Sequence, residues 1–169
     1  MHTIFNPLRY FFTYCLLFVT TVVNAYNLRQ LTSENGLSNS AVQAICQDYE
    51  GYMWFGTCDG LNMYNGHNLT VYKPTNGSNT LSGNLIESIL EAEDGIFWIQ
   101  TNYGLNRFDK KERKMDYFRD FNGKNHIVKD QRNNIAIFQD SSLYFYQPKR
   151  KTFKEIQINL SYDDVLNVT

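Results

Sequence analysis

Gly51-Tyr52-Met53-Trp54-Phe55-Gly56-Thr57-Cys58-Asp59-Gly60-Leu61-Asn62-Met63-Tyr64 is answered, 44 positions on, by Gly95-Ile96-Phe97-Trp98-Ile99-Gln100-Thr101-Asn102-Tyr103-Gly104-Leu105-Asn106-Arg107-Phe108. Glycine, tryptophan, threonine and the run Gly-Leu-Asn all return at that spacing, and an aromatic residue closes both copies. Further out, Leu37-Ser38 returns as Leu81-Ser82 in the same register, whereas the turn acids Asp48 and Asp94 stand two places out of step. Self-similarity with a period of about 20 to 50 residues marks an array of small structural units, none of which can bury its apolar surface alone.

A worn third copy lies at a shift of 82, where Asp130, Asn133, Ile135 to Phe138, Leu143 and Tyr146 answer Asp48, Gly51, Met53 to Gly56, Leu61 and Tyr64. Ala136 replaces the tryptophan, and Asn133, a residue that tolerates positive φ, replaces the turn glycine. Within a unit, Val42 to Gln47 and Ile86 to Glu91 read as first strands, and Tyr52 to Thr57 and Ile96 to Thr101 as second strands. Third strands open at Gly60 and Gly104, and Leu69 to Tyr72 and Lys114 to Phe118 supply the fourth. In Tyr52-Met53-Trp54-Phe55 and Ile96-Phe97-Trp98-Ile99 large side chains occupy consecutive positions, so both faces of the sheet must be covered. Four-stranded antiparallel units stacked face to face are the blades of a β-propeller. The expected fold is all-β, an incomplete propeller of about three blades. Blade 1 is expected over 26–72, blade 2 over 73–120, a degenerate blade 3 over 121–160, and the start of a fourth, truncated, over 161–169.

The first 25 residues are of another kind. His2 and Arg9 precede an uncharged run from Tyr10, and Val23-Asn24-Ala25 offers small residues for a peptidase, so 1–25 reads as a signal peptide cleaved after Ala25. An uncleaved anchor is the alternative, since the uncharged stretch reaches Leu28. Either reading exports the rest of the chain. Cys15 lies within that leader; Cys46 and Cys58 are expected to stay unpaired, because Cys46 falls opposite Trp54 while Cys58 lies past the far end of the second strand.

Sixteen basic against 17 acidic residues, a net charge of -1, give no electrostatic basis for binding nucleic acid. His67 and His126 lack neighbouring ligands at metal spacing, so neither a metal nor a cofactor is expected. Asp48 and Asp94 are expected to cap turns rather than form a catalytic carboxylate pair, and Trp54 and Trp98 to pack between blades. The basic runs Lys110 to Lys114 and Lys149 to Lys151 are read as solvated hairpins. No catalytic residue is singled out. Ligand contacts are expected from the loops between blades, Asn76 to Asn84 and Phe121 to Asn125, with no individual contact residue named.

Taken together, Gly36-Leu37-Ser38-Asn39-Ser40-Ala41-Val42, Asp48, Gly51 to Thr57 and Gly60 to Tyr64 closely resemble the two-component regulator propeller repeat. The resemblance implies the exported, periplasmic sensor part of a Bacteroides-type hybrid histidine kinase held in the inner membrane, feeding a phosphorelay. It implies further propeller blades and a downstream kinase as partners, and a carbohydrate or oligosaccharide ligand; dimerisation of the full receptor is a further expectation. The chain shows no kinase signature of its own, so it is expected not to be an enzyme and to be part of a longer sensor. A secreted propeller enzyme, such as a polysaccharide lyase, and an adhesion or scaffold module remain alternatives.

Overall fold

The computed structural model describes residues 30–123 and 125–157, together with Phe11. The leader expected over 1–25 and the fourth unit expected over 161–169 lie outside the described residues, Phe11 apart. Within 31–157 the chain forms twelve strands in three antiparallel sheets of four. The first holds β1 (Val42–Gln47), β2 (Met53–Thr57), β3 (Gly60–Tyr64) and β4 (Leu69–Tyr72). The second holds β5 (Ile86–Glu93), β6 (Ile96–Thr101), β7 (Gly104–Asp109) and β8 (Lys114–Phe118). The third, which the sequence shows only faintly, is complete: β9 (His126–Lys129), β10 (Ile135–Gln139), β11 (Ser142–Gln147) and β12 (Thr152–Gln157). Every sheet keeps its strands in chain order, and β1 lies against β5 as β5 lies against β9, which is the stacking of propeller blades about their innermost strands.

The period-two alternation of each strand decides which blade it faces. Trp54, Leu61 and Met63 point from blade 1 toward Phe97, Ile99, Phe108 and Met115 of blade 2. Trp98 and Leu105, on the opposite face of blade 2, meet Ile135, Ile137, Tyr144, Tyr146 and Phe153 of blade 3. Trp54 is wholly buried, with its ring centroid 4.5 Å from that of Phe97; Trp98 is 1% exposed and lies 4.6 Å from Tyr146. A buried indole removes about 150–250 Å² from water, which at about 25 cal/mol per Å² makes these two side chains the largest single contributors to blade stacking.

Backbone geometry follows the turn chemistry. Gly60 and Gly104 open the third strands at φ 123° and 138°, values costly for any residue with a Cβ, and Asn133 takes φ 60° as its substitution for glycine requires. Two strands depart from expectation: β2 begins at Met53 rather than Tyr52, and β5 extends to Glu93, past Glu91, with a bulge between Glu91 and Glu93 in β5. Its cause is Ala92, which occupies the position of the turn-capping Asp48 and cannot close the turn in the same way.

Gly56 lets the blades close. A Cβ there would stand 2.5 Å from Cγ2 and 2.9 Å from Cβ of Ile86, the first residue of the next blade's inner strand. Gly56→Ala should therefore destabilise the fold by about 1–3 kcal/mol in urea unfolding, and adding Ile86→Ala should show positive coupling, costing less in the Gly56→Ala background than alone. Strict additivity would mean that the two residues do not meet.

Candidate functional site

At one end of the blades, the β2–β3 and β6–β7 turns meet the segments that lead from blade to blade. The residues that return most faithfully in the sequence build this end. Ser38 donates its amide to Asn62 Oδ1 at 2.8 Å and shares a hydroxyl hydrogen bond with Thr57 at 2.8 Å, while Asn62 Nδ2 donates to Ser38 Oγ at 2.7 Å. Ser82 likewise donates its amide to Asn106 Oδ1 at 3.1 Å and shares a hydroxyl hydrogen bond with Thr101 at 2.7 Å, but here it is the Ser82 hydroxyl that donates to Asn106 Oδ1, at 2.7 Å. Thr57 and Thr101 in turn donate to the carbonyls of Gly60 and Gly104 and accept the amides of Asp59 and Tyr103. Asn62, Thr57 and Thr101 are buried with these bonds made, where an unpaired polar group would cost about 1–3 kcal/mol; Asn106 is buried as well, with its Oδ1 engaged and its Nδ2 without a partner among the described residues. The triad thus pins each incoming Leu-Ser to its own blade. Leu-Ser, Thr and Asn were visible as landmarks, but their meeting was not, because the three lie on separate strands and loops.

On this rigid base, Asp59, Lys73, Pro74, Ser82, Gly83, Asn84 and Tyr103 enclose a shallow depression of about 320 Å³. Lys73 Nζ meets Asp59 Oδ2 at 2.6 Å and holds that carboxyl below its ordinary value. The Tyr103 ring is 61% exposed, and the Tyr117 hydroxyl donates to its carbonyl at 2.7 Å. An exposed aromatic ring beside amide and charged groups can stack on an apolar ligand face and hydrogen-bond its hydroxyls.

The loops expected to meet a ligand divide. From Asn76 to Asn84, Ser82, Gly83 and Asn84 line the depression, whereas Asn79 is occupied in holding the Met115 amide and the Arg113 carbonyl of β8 and its approach. From Phe121 to Asn125, Phe121 is buried among Trp98, Tyr144 and Phe153, and Asn125 ties back to its carbonyl. His67 sits in the β3–β4 hairpin with its amide on Asn65 Oδ1, and His126 begins β9. Among the described residues no His, Cys, Asp and Glu cluster able to hold a metal ion occurs. Cys46 pairs across the sheet with Trp54, burial pushes its thiol up, and both it and Cys58 are free thiols.

The acids at the other end differ from expectation. Asp48 does cap its turn, accepting the amides of Glu50 at 3.1 Å and Tyr52 at 2.8 Å, and it also accepts the Trp54 indole N–H at 3.0 Å. Asp94 does not take the equivalent place: the Gly95 amide goes to Glu91 Oε1, whose other oxygen accepts the Tyr49 amide from blade 1. Lys110 is not merely solvated either. It crosses from blade 2 to reach Asp48 at 2.7 Å, also pairs with Glu50, and lies 4.2 Å from the Tyr52 ring centroid. Burial pushes the Asp48 carboxyl up, but hydrogen bonds from Lys110, Trp54 and Tyr52 outweigh it and hold the group below its ordinary value. Burial likewise lowers Lys110, and Asp48 and Glu50 more than restore it, leaving it raised.

Residues 36–59 match the family model of the two component regulator propeller. A stretch of 45 residues is 44% identical to Histidine kinase P4 of Formosa agariphila, covering 27% of this chain and 3% of that protein. The fold matches the extracellular domain of a hybrid two component system from B. thetaiotaomicron with a TM-score of 0.66 at 21% identity, over 76% of this chain and 20% of that one. The chain thus spans a small part of each relative's length. Residues 36–59, which include the first two strands of blade 1, carry the match to the two component regulator propeller repeat.

The Asp48–Lys110 pair fixes a pH dependence. Asp48 has a depressed folded pKa, so its contribution is complete above the unfolded carboxyl value, about 3.9, and is lost as pH falls through the lower folded value. Lys110 contributes fully below about 10.4 and loses its contribution as pH rises through its raised folded value. Asp48→Ala, which takes the acceptor from the buried Trp54 indole N–H and from the Glu50 and Tyr52 amides and leaves Lys110 with Glu50 alone, should cost about 3 kcal/mol at pH 7. In urea unfolding, the gap between Asp48→Asn and wild type should narrow progressively below about pH 4.

Proposed function

We propose that this chain is the ligand-sensing part of an exported two-component receptor: it binds a small carbohydrate outside the cytoplasm and reports to a histidine kinase carried by the same receptor. The observation that carries the reading is the two component regulator propeller repeat at residues 36–59, supported by the 44% identity of 45 residues to a histidine kinase. The relative of matching fold is the extracellular domain of a hybrid two component system, which supports an exported, periplasmic position for the blades and an inner-membrane position for the full receptor. Further blades and the kinase are its partners in that receptor.

The depression beside Tyr103 suits the role. An exposed ring with Asn84 and the Asp59–Lys73 pair offers the stacking face and hydrogen-bonding groups that sugars use, on loops whose positions the buried triads fix. The chain acts here by binding rather than catalysis. Among the described residues the one buried carboxylate at a turn, Asp48, is already engaged by Lys110, Trp54 and two backbone amides.

Calorimetric titration with an oligosaccharide panel tests the reading. At least one sugar should bind with about millimolar or better affinity, and Tyr103→Ala should weaken it about tenfold, the loss of about 1.4 kcal/mol of stacking. A folded protein that binds no sugar, or whose sugar affinity Tyr103→Ala leaves unchanged, would overturn this assignment of ligand and site.

A further inference from the structure

The two grooves between blades are built from the same repeat, and the first holds a cavity of about 880 Å³ bordered by Met63, Tyr72, Phe108 and Met115, but the place beside the indole is filled in the first groove and open in the second. Between blades 1 and 2 the protein's own carboxylate, Asp48, sits against the Trp54 indole N–H and is closed over by Lys110, the residue that follows β7. Between blades 2 and 3 both positions have changed together: Ala92 stands where Asp48 stands, and Pro148, which follows β11, stands where Lys110 stands. Trp98 keeps the place of Trp54 and is equally buried, but among the described residues no acceptor reaches its indole nitrogen. Ala92, Trp98, Tyr146 and Pro148 border a cavity of about 500 Å³, and Arg132 and Lys151 stand at its rim.

We infer that this groove is a binding site for a small organic acid, whose carboxylate takes the place that Asp48 fills one blade earlier. The indole N–H of Trp98 would donate to that carboxylate, and Arg132 would supply the charge that Lys110 supplies to Asp48. Arg132 suits this task because, among the described residues, it forms no ion pair, although the Asp130 carboxylate, held by Asn134, lies close enough to feel its charge. Arg107, Lys114 and Lys151 are less available, since all three surround Asp116 at 3.5 to 3.9 Å. Glu93, Asp109 and Glu112 also border the cavity, so a monoanion fits the charge balance better than a dianion. Tyr146, in edge-to-face contact with Trp98, offers an apolar wall for a ring or alkyl group behind the carboxylate. The site holds whether or not the blades signal, because it rests only on the geometry of this groove.

The test uses the two tryptophans as separate reporters. Indole N–H signals are followed by ¹H–¹⁵N correlation spectroscopy on the chain as it stands, with benzoate added, and with benzamide as a neutral molecule of the same shape. Benzoate should shift the Trp98 signal saturably with about millimolar affinity and leave that of Trp54 in place. Benzamide should bind at least about tenfold more weakly, a difference of about 1.4 kcal/mol. Ala92→Asp should move the ligand-free Trp98 signal toward that of Trp54 and abolish the benzoate response, since the groove then carries its own carboxylate. Arg132→Gln, a change at an exposed side chain that spares the fold, should weaken benzoate at least about threefold. The proposal fails if benzoate leaves Trp98 unmoved, if benzamide matches benzoate, or if Arg132→Gln or a folded Ala92→Asp protein responds like wild type.

Discussion

Everything in this fold depends on sheets whose two faces are both apolar. A sheet with one wet face can stand on a single partner, but Met53-Trp54-Phe55 and Phe97-Trp98-Ile99 leave no side for water. Blade 2 shows the requirement met: Phe97, Ile99 and Phe108 on one face are buried against blade 1, and Trp98 and Leu105 on the other against blade 3. Their equivalents on blade 1, Met53, Phe55 and Tyr64, are only half-buried, and Ile45 and Val71, the counterparts of Ile89 and Met115, are 63% and 40% exposed. The same positions in successive repeats thus change from exposed to buried according to whether another blade is stacked on them. Burial here belongs to the array and not to the individual sheet.

Apolar stacking is non-directional and would tolerate sliding. The polar groups supply the register that it lacks. Each Ser-Thr-Asn triad locks the segment entering a blade to the β2–β3 or β6–β7 end, so the chain reaches each inner strand at a fixed height. At the opposite end Asp48 and Glu91 tie neighbouring blades by directional bonds, Asp48 to Lys110 and Glu91 to the Tyr49 amide. Lys129 adds a bond from blade 3 to the Glu91 carbonyl at 2.7 Å. Loops carried on such a frame present side chains such as Tyr103 and Asn84 with little conformational freedom left to lose on binding.

The strands were legible because glycine turns and apolar runs act locally. Val42–Gln47, Leu69–Tyr72 and Lys114–Phe118 fall where the sequence pattern puts them, and even the degenerate third unit obeys its spacing. The site was less legible. Asp94 looked like the partner of Asp48 because both are acids just ahead of a glycine, but register, not residue type, decides which side chain faces the turn, and Ala92 holds that register. Lys110 looked like part of a solvated run because its partner lies 62 residues away on another blade, a separation that no local pattern encodes. Ser38, Thr57 and Asn62 were visible as repeated letters, yet their role emerges only when three elements converge.

Repetition itself separates structural from individual features. Where the copies agree, as in the triads, the glycines at 60 and 104 and the buried indoles of the first two blades, the residues satisfy demands that every such blade makes. Where they disagree, the demand is absent or is met from elsewhere. Loss of Asp48's counterpart alone would leave a cation stranded in the groove, a costly arrangement. Instead the acid and the base are both missing, replaced by Ala92 and Pro148, so the groove lacks both members of the pair but keeps the indole and the space around it. That the place beside Trp98 stays open, while the equivalent place beside Trp54 is filled by Asp48 and Lys110, is the asymmetry from which its individual role follows.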